Sequence, residues 1–297
     1  MTLLKAIFLG IVQGLTEFLP VSSSGHLAIF KELLNVEAAS GASAITFDIL
    51  LHIGTLVAIC FAFYKDIKKM IVEFVFIVRD LILNAKVFFT KPFGLRREEK
   101  EYIRIISGSY RKFVLMVIVA TIPTGIIGVL IKDIVESISS NLPIIGVSLL
   151  ITAVLLLIAD TSENKRKTPK NIPYWQAAVT GVVQGIATIP GISRSGSTIA
   201  ACSFFGFDKK FAVKFSFIMS IPAILGALIL DLKDIDFSAI GGQMWGYYVI
   251  GMVLAAVIGY FCIKVVNYLA KERKFKYFSI YCLVIGLVAI IGGIIIA

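Results

Sequence analysis

Gly10-Ile-Val-Gln-Gly-Leu-Thr-Glu-Phe-Leu-Pro-Val-Ser-Ser-Ser-Gly-His26 returns 171 positions later as Gly181-Val-Val-Gln-Gly-Ile-Ala-Thr-Ile-Pro-Gly-Ile-Ser-Arg-Ser-Gly-Ser197. Each copy is an apolar run broken by a proline and a serine-rich loop. The 297 residues around them are 58% hydrophobic and 16% charged, with a mean hydropathy of +0.92, against roughly 45–50% apolar residues in soluble domains. That is the composition of an integral membrane protein. In a bilayer, irregular backbone is tolerated only where it is buried in protein or lines a wet cavity, so a break that occurs twice marks a candidate site.

Working outward, six stretches reach the length of about 20 apolar residues that a crossing helix needs. They are 46–64, 113–131, 143–160, 211–230, 246–265 and 278–296. Their length and scarcity of charge fit helices and no β-barrel alternation. The repeated stretches differ: residues 2–19 stop at Pro20 before the short run Leu27 to Leu34, and residues 175–189 stop at Pro190 before Ile199 to Phe207. Neither half of either pair can cross alone, so each pair is expected to be a re-entrant helical hairpin, 1–34 and 175–207.

The expected fold is therefore an all-α polytopic membrane protein with an inverted-topology repeat, six transmembrane helices and two re-entrant hairpins meeting near mid-membrane. The first repeat is 1–160, with a cytoplasmic amphipathic segment at 65–112; a polar cytoplasmic linker, 161–174, leads to the second repeat, 175–297. Three spans per repeat is an odd number, which turns the second copy over. Residues 70–90 are apolar enough to tempt a seventh span, but Glu73, Arg79, Asp80 and Lys86 would each cost a few kcal/mol at the bilayer centre. A surface amphipathic helix is expected there.

The net charge of +10 invites nucleic acid, but its distribution argues for topology. Of 29 Lys and Arg, 24 fall in residues 65–112, 161–174 and 264–277 and at Lys209, Lys210 and Lys214, whereas the alternate loops hold little beyond Lys5, Lys31, Lys132 and Lys233. The positive-inside rule places the rich loops in the cytoplasm and both termini outside, with secondary attraction to anionic lipid. Gln13, Glu17 and Pro20 stand where a signal-peptide cleavage site would need small residues, so the first residues are expected to be mature protein. Cys60, Cys202, Cys262 and Cys282 lie in apolar stretches without ligand spacing and are expected to be packing residues. Gly226, Gly251 and Gly259 are expected at close helix contacts.

In the first loop Gln13 and Glu17 share one helix face. Pro20 ends that helix, and Ser22, Ser23 and Ser24 are natural N-caps for the next, which would start near Gly25 and His26. Its free N–H groups and positive dipole end make an anion site. In the second loop Ser193, Ser195, Ser197 and Thr198 supply hydroxyls and caps, Gly191 and Gly196 allow close backbone approach, and Arg194 adds a planar donor fork. So many donors suit phosphate better than carboxylate. Asp48 and His52, four apart at the start of the first span, are expected to make a structural hydrogen bond or to line a cavity.

Gln13-Gly-Leu-Thr-Glu-Phe-Leu-Pro-Val-Ser-Ser-Ser-Gly-His26 and Pro190-Gly-Ile-Ser-Arg-Ser-Gly-Ser-Thr198 resemble the two signature motifs of the bacterial undecaprenyl-diphosphatase family, also called bacitracin-resistance proteins, and the resemblance spans the chain. It implies a plasma-membrane enzyme, opening to the outer face, that removes one phosphate from undecaprenyl diphosphate to recycle the carrier lipid of peptidoglycan synthesis. It implies a divalent cation, Mg²⁺ or Ca²⁺. It implies that Glu17 is a metal ligand or acid/base, Ser23 the nucleophile unless a water attacks instead, His26 an aid to proton transfer and Arg194 a phosphate ligand. Gln13 stands where some members carry glutamate; it can bond or orient but is no general base. Ser22, Ser24, Ser193, Ser195, Ser197 and Thr198 are then expected as phosphate donors or caps. The expected partners are the polyprenyl diphosphate and membrane lipids, with room for a homodimer and no nucleic acid. Ser24-Gly25-His26 also resembles the type 2 phosphatidic-acid phosphatases, but no histidine follows Arg194, which leaves that similarity local. The competing class is a polyprenyl-phosphate transporter using the same anion-binding tips.

Overall fold

The computed structural model describes residues 1–36, 42–90, 102–163, 166–231, 241–272 and 274–296. The charged run Arg96 to Lys100 of the expected cytoplasmic segment and the loop carrying Lys233 lie outside the described residues. The first half holds α1 (Leu3–Thr16), α2 (Ser23–Leu33), α3 (Ala42–Ala62), α4 (Tyr64–Thr90), α5 (Ser109–Leu130), α6 (Lys132–Ile138) and α7 (Leu142–Thr161). After a 3-10 turn at Pro169–Asn171 come α8 (Tyr174–Ile186), α9 (Arg194–Phe204), α10 (Lys209–Asp231), α11 (Gly242–Lys271) and α12 (Lys276–Ile296). Among the described residues there is no strand, only a single bridge between Lys167 and Phe207.

Six of these, α3, α5, α7, α10, α11 and α12, are long and apolar enough to cross a membrane, and they coincide with the six stretches read from the sequence. The helices flanking the repeated loops are short. α1 has 14 residues and α8 has 13, about 20 Å each at 1.5 Å per residue, and α2 and α9 have 11 each. None spans a hydrocarbon core of about 30 Å.

Residues 70–90 are helical, as expected, but the helix is longer and starts at Tyr64, one residue beyond α3. Its charges are not left bare. Arg111, at the start of α5, donates from Nη1 to Asp80 at 2.6 Å and from Nε to Glu73 at 3.1 Å, while Arg79 donates to Asp80 at 2.8 Å. Hydrogen bonds from Arg79 and Arg111 hold the Asp80 carboxyl below the usual carboxylate range. α4 is not among the six candidate spans.

The repeated glycines explain how the short helices pack. α1 lies against α11 and α8 against α5, and each contact centres on the first glycine of its copy. A Cβ at Gly10 would meet the Gly251 carbonyl, and a Cβ at Gly181 the Ala120 carbonyl. α7 and α12 pair through Gly146 and Gly286 in the same manner. Gly251 and Gly259 face Phe47 and Phe18 closely, as expected, but Gly226 has open space around it, so its reading as a packing glycine is corrected. Small residues matter here because helices in lipid gain by close approach rather than by leaving water.

Between these pairs a continuous core runs through Phe18, Met116, Ile145, Leu149, Phe215 and Phe217. Cys202, Cys262 and Cys282 belong to it, whereas Cys60 is exposed, which corrects its reading as a core residue.

Candidate active site

The two broken loops touch. A Cβ on Gly25 would lie 3.0 Å from the Gly191 Cα, and one on Gly196 would lie 3.2 Å from the Pro20 Cβ, so glycine in each loop lets the other approach. α1 ends at Thr16 with Glu17 as C-cap, and α2 begins after Ser22, whose hydroxyl accepts the Gly25 N–H at 3.3 Å. α9 begins after Ser193, whose hydroxyl accepts the Gly196 N–H at 3.1 Å. Ser22 and Ser193 are the same position of the repeat, and both are N-caps. Both second helices start a few residues earlier than their apolar runs, because the capped polar turn is itself helical.

Ser23 and Arg194 also occupy equivalent positions, the first residue of each second helix, and both reach Glu17. Arg194 Nη2 pairs with Glu17 Oε1. Ser23 Oγ donates to Glu17 Oε2 at 2.6 Å, and Gln13 Nε2 donates to the same oxygen at 3.1 Å. The Glu17 side chain is 3% exposed and that of Arg194 23%, so the carboxylate is sealed while the guanidinium keeps an open flank. Burial of a charge on this scale needs these partners. Gln13 Oε1, also buried, accepts nothing.

The open flank faces a cavity of about 1030 Å³, at the upper end of the range for small-ligand pockets. Glu17, Ser22, Ser23, Ser24, Ser193 and Arg194 line it together with the apolar Ile49, Ile192, Ala223, Ile224, Ala227 and Leu228. The other expected site residues sit outside the lining. Gln13 is behind Glu17; Ser195 Oγ lies 3.3 Å from Ser193 Oγ; Thr198 Oγ1 donates to the Arg194 carbonyl at 2.8 Å and sits 2.6 Å from Ser216 Oγ. Ser197 Oγ is buried without a partner.

His26 is likewise absent from the lining. Its Nδ1 lies 2.7 Å from the Ser22 carbonyl oxygen, which can only accept, so Nδ1 carries the proton and Nε2 accepts from the Tyr281 hydroxyl at 2.8 Å. The two rings stack with an interplanar angle of 8°. His26 thus braces Ser22, a non-glycine residue at φ 72°, where strain needs support from its surroundings. His52 does line the cavity; its Nδ1 faces the Asp48 carbonyl at 2.9 Å, and Asp48 itself pairs with Lys31 at 2.5 Å. Both outcomes expected for that pair hold, a structural hydrogen bond and cavity lining.

Three contributors escaped sequence reading. Thr152 in α7 donates to the Gly191 carbonyl at 3.0 Å and accepts the Ser193 N–H at 2.9 Å, pinning the second loop from behind. Tyr281 is 255 positions from its partner. Gln184 was recoverable: it is Gln13 shifted by the repeat, lines the cavity and also leaves its Oε1 buried without a partner.

Comparison with known proteins points one way. The family described as "Bacitracin resistance protein BacA" matches residues 6–288. A protein of Alkaliphilus metalliredigens named undecaprenyl-diphosphatase is 41% identical over 98% of both chains. Proteins of the same name from Halothermothrix orenii and Methanosphaera stadtmanae are 40% and 38% identical, over 98% and 99% of both chains.

Proposed function

The chain belongs to the family of bacitracin resistance protein BacA, and from that premise we propose that it is a membrane phosphatase that hydrolyses undecaprenyl diphosphate to undecaprenyl phosphate and inorganic phosphate. The observation that carries this beyond family membership is the meeting of Ser23, Glu17 and Arg194 in a cavity that is also lined by apolar side chains. That cavity suits an amphiphile whose charged end is phosphate. The relatives are named for hydrolysis, and the transport reading has no comparable support.

In the mechanism we propose, the terminal phosphate enters beside Arg194, whose donor fork neutralises charge that builds on the leaving and attacking oxygens. The uncapped amides of α2 and α9 add to it. Ser23, or a water in its place, attacks the terminal phosphorus; the bond to the bridging oxygen breaks and undecaprenyl phosphate leaves with that oxygen. Where Ser23 attacks, a water then cleaves the resulting phosphoserine, releasing inorganic phosphate and restoring the serine hydroxyl. Of the two proton acceptors expected from the sequence, Glu17 is in hydrogen-bond contact with Ser23, so it takes the proton. His26 then acts one step removed, holding Ser22 and with it the turn that presents Ser23.

A divalent cation fits the residues present. Among the described residues no group of three His, Cys, Asp or Glu could hold one alone, but Mg²⁺ is commonly held by one or two carboxylates plus substrate phosphates. Glu17 and the orphaned amide oxygen of Gln13 are hard oxygen ligands of that kind for Mg²⁺ or Ca²⁺. When bound, the cation would supply further neutralisation of the diphosphate.

We read the architecture as two inverted repeats with re-entrant hairpins. The matched contacts of α1 with α11 and α8 with α5, one repeat apart, support this, as do the short flanking helices. The cavity's lining includes Lys132 and Glu136 of α6, which follows α5, and Asp231 at the end of α10, away from the basic clusters at the starts of α5 and α10, which supports an outward opening. In a chain cleared of its four cysteines, single cysteines at Ser162 and Lys210 are expected to be labelled only from the cytoplasmic side and one at Ser139 only from outside. Labelling of Ser162 and Ser139 from the same side would overturn the topology.

The activity test is phosphate release from C55 or shorter prenyl diphosphates by purified protein in detergent with Mg²⁺ or Ca²⁺. Turnover is expected; its absence would sink the assignment.

A further inference from the structure

A second cavity, about 620 Å³, lies at the other end of α5 and is lined by Arg104, Ser107, Gly108, Lys112, Lys170 and Tyr174, with Ile105 and Ile106. Lys112 here and Thr124, the residue of α5 that lines the catalytic cavity, are separated by about 18 Å along the helix. Three basic side chains converge here, and among the described residues no carboxylate lines the space. Lys112 Nζ donates to the Lys170 carbonyl at 2.7 Å and sits 5.6 Å from the centre of the Tyr174 ring. Among the described residues no carboxylate forms an ion pair with any of the three. With no counter-charge among the described residues, they repel one another unless an anion joins them.

Two further features lie beside the same space. The Tyr174 hydroxyl is buried and has no hydrogen-bond partner among the described residues, which is a cost unless something fills it. α5 and α8 both begin at this cavity, capped by Gly108 and Pro173, neither of which offers a side-chain acceptor to the first amides. Around the basic centre the surface turns apolar and aromatic: Tyr102, Ile103, Ile106 and Trp175 are all exposed. Trp and Tyr favour the membrane–water interface, and basic pockets between transmembrane helices bind anionic head groups.

We propose that this cavity binds the phosphate of an anionic phospholipid head group, on the membrane face opposite the catalytic cavity. The phosphate is held by Arg104, Lys112 and Lys170 with the Tyr174 hydroxyl, and the acyl chains run out over Ile106 and Trp175. The site is distinct from the catalytic one, and its test needs no turnover.

The purified full-length protein is titrated in neutral detergent with phosphatidylglycerol, with phosphatidylcholine, or with inorganic phosphate, and its thermal unfolding midpoint is followed. Phosphatidylglycerol alone is expected to raise the midpoint. In the triple variant Arg104→Ala, Lys112→Ala, Lys170→Ala its apparent affinity is expected to fall roughly a hundredfold, at about fivefold per basic residue. The charge-matched variant Lys65→Ala, Lys68→Ala, Lys69→Ala should bind within about fivefold of the parent, as those residues lie outside the cavity. Equal weakening in both variants would reduce the effect to diffuse surface charge and overturn the site. Equal stabilisation by phosphatidylcholine would overturn the requirement for an anion, and equal stabilisation by millimolar inorganic phosphate would overturn the lipid. Should the triple variant not fold, Lys170→Glu, at an exposed position, is expected to lose the phosphatidylglycerol response by itself; retention of that response would overturn the proposal.

Discussion

Arg194→Ala and Glu17→Ala are each expected to lower kcat/KM by about 10³-fold or more, the scale on which charge-neutralising arginines act in phosphoryl transfer. Their effects on stability should differ. Removing Arg194 leaves a carboxylate that is 3% exposed with no counter-charge, and stranding one partner of a buried pair costs about 3–5 kcal/mol. Removing Glu17 strands a guanidinium that is 23% exposed beside a cavity, where water can solvate it, so the loss should be smaller. The double variant Glu17→Gln, Arg194→Met separates the two roles. With neither charge left to strand, its unfolding midpoint should return most of the way to the parent's, because a buried pair replaced as a unit is often neutral in stability. Its phosphate release should stay at the level of the single variants. Recovery of both stability and turnover would show that the pair only holds the two loops together, and the catalytic assignment of Glu17 and Arg194 would fall.

That the pair exists at all was foreshadowed by the repeat. Shifting Ser23 by 171 positions gives Arg194, and two equivalent first residues of two equivalent helices can meet at one carboxylate only if the loops converge. The six spans were legible for a simpler reason: about 20 apolar residues in a row admit few alternatives to a crossing helix. What stayed hidden came from outside the motifs. Thr152 sits in a span where a small polar residue reads equally well as close packing, and only its neighbours reveal two bonds to the second loop. Tyr281 carries no periodic or spacing signal toward His26; α12 brings it there. Gly226 failed for the converse reason. Its composition fits a helix contact, but a glycine's value there depends on which way it faces, and an all-round apolar helix does not announce that.

Gly191 combines a positive φ with a close backbone neighbour, and Gly191→Ala is expected to damage both folding and catalysis. Its φ is +90°, in the region where a side chain costs about 1–2 kcal/mol. The added Cβ would also press on the Ile145 carbonyl oxygen and lie 2.7 Å from the Ser148 Cβ. The carbonyl belongs to α7 and cannot rotate aside, so the loop must move, adding the roughly 1–3 kcal/mol typical of overpacking. Movement here breaks the Thr152 bonds to Gly191 and Ser193 at 3.0 and 2.9 Å, displacing the cap that starts α9 and therefore Arg194. The expected result is an unfolding midpoint lowered by several degrees together with a loss of kcat larger than any change in KM for short prenyl diphosphates. Gly226→Ala is the matched control. With nothing within 4 Å of its Cβ, the added methyl should leave kcat unchanged and stabilise α10 by up to about 1 kcal/mol through helix propensity alone. A Gly191→Ala protein with parental midpoint and kcat would mean that the loop accommodates a side chain there, and that Arg194 is not positioned by the contact with α7.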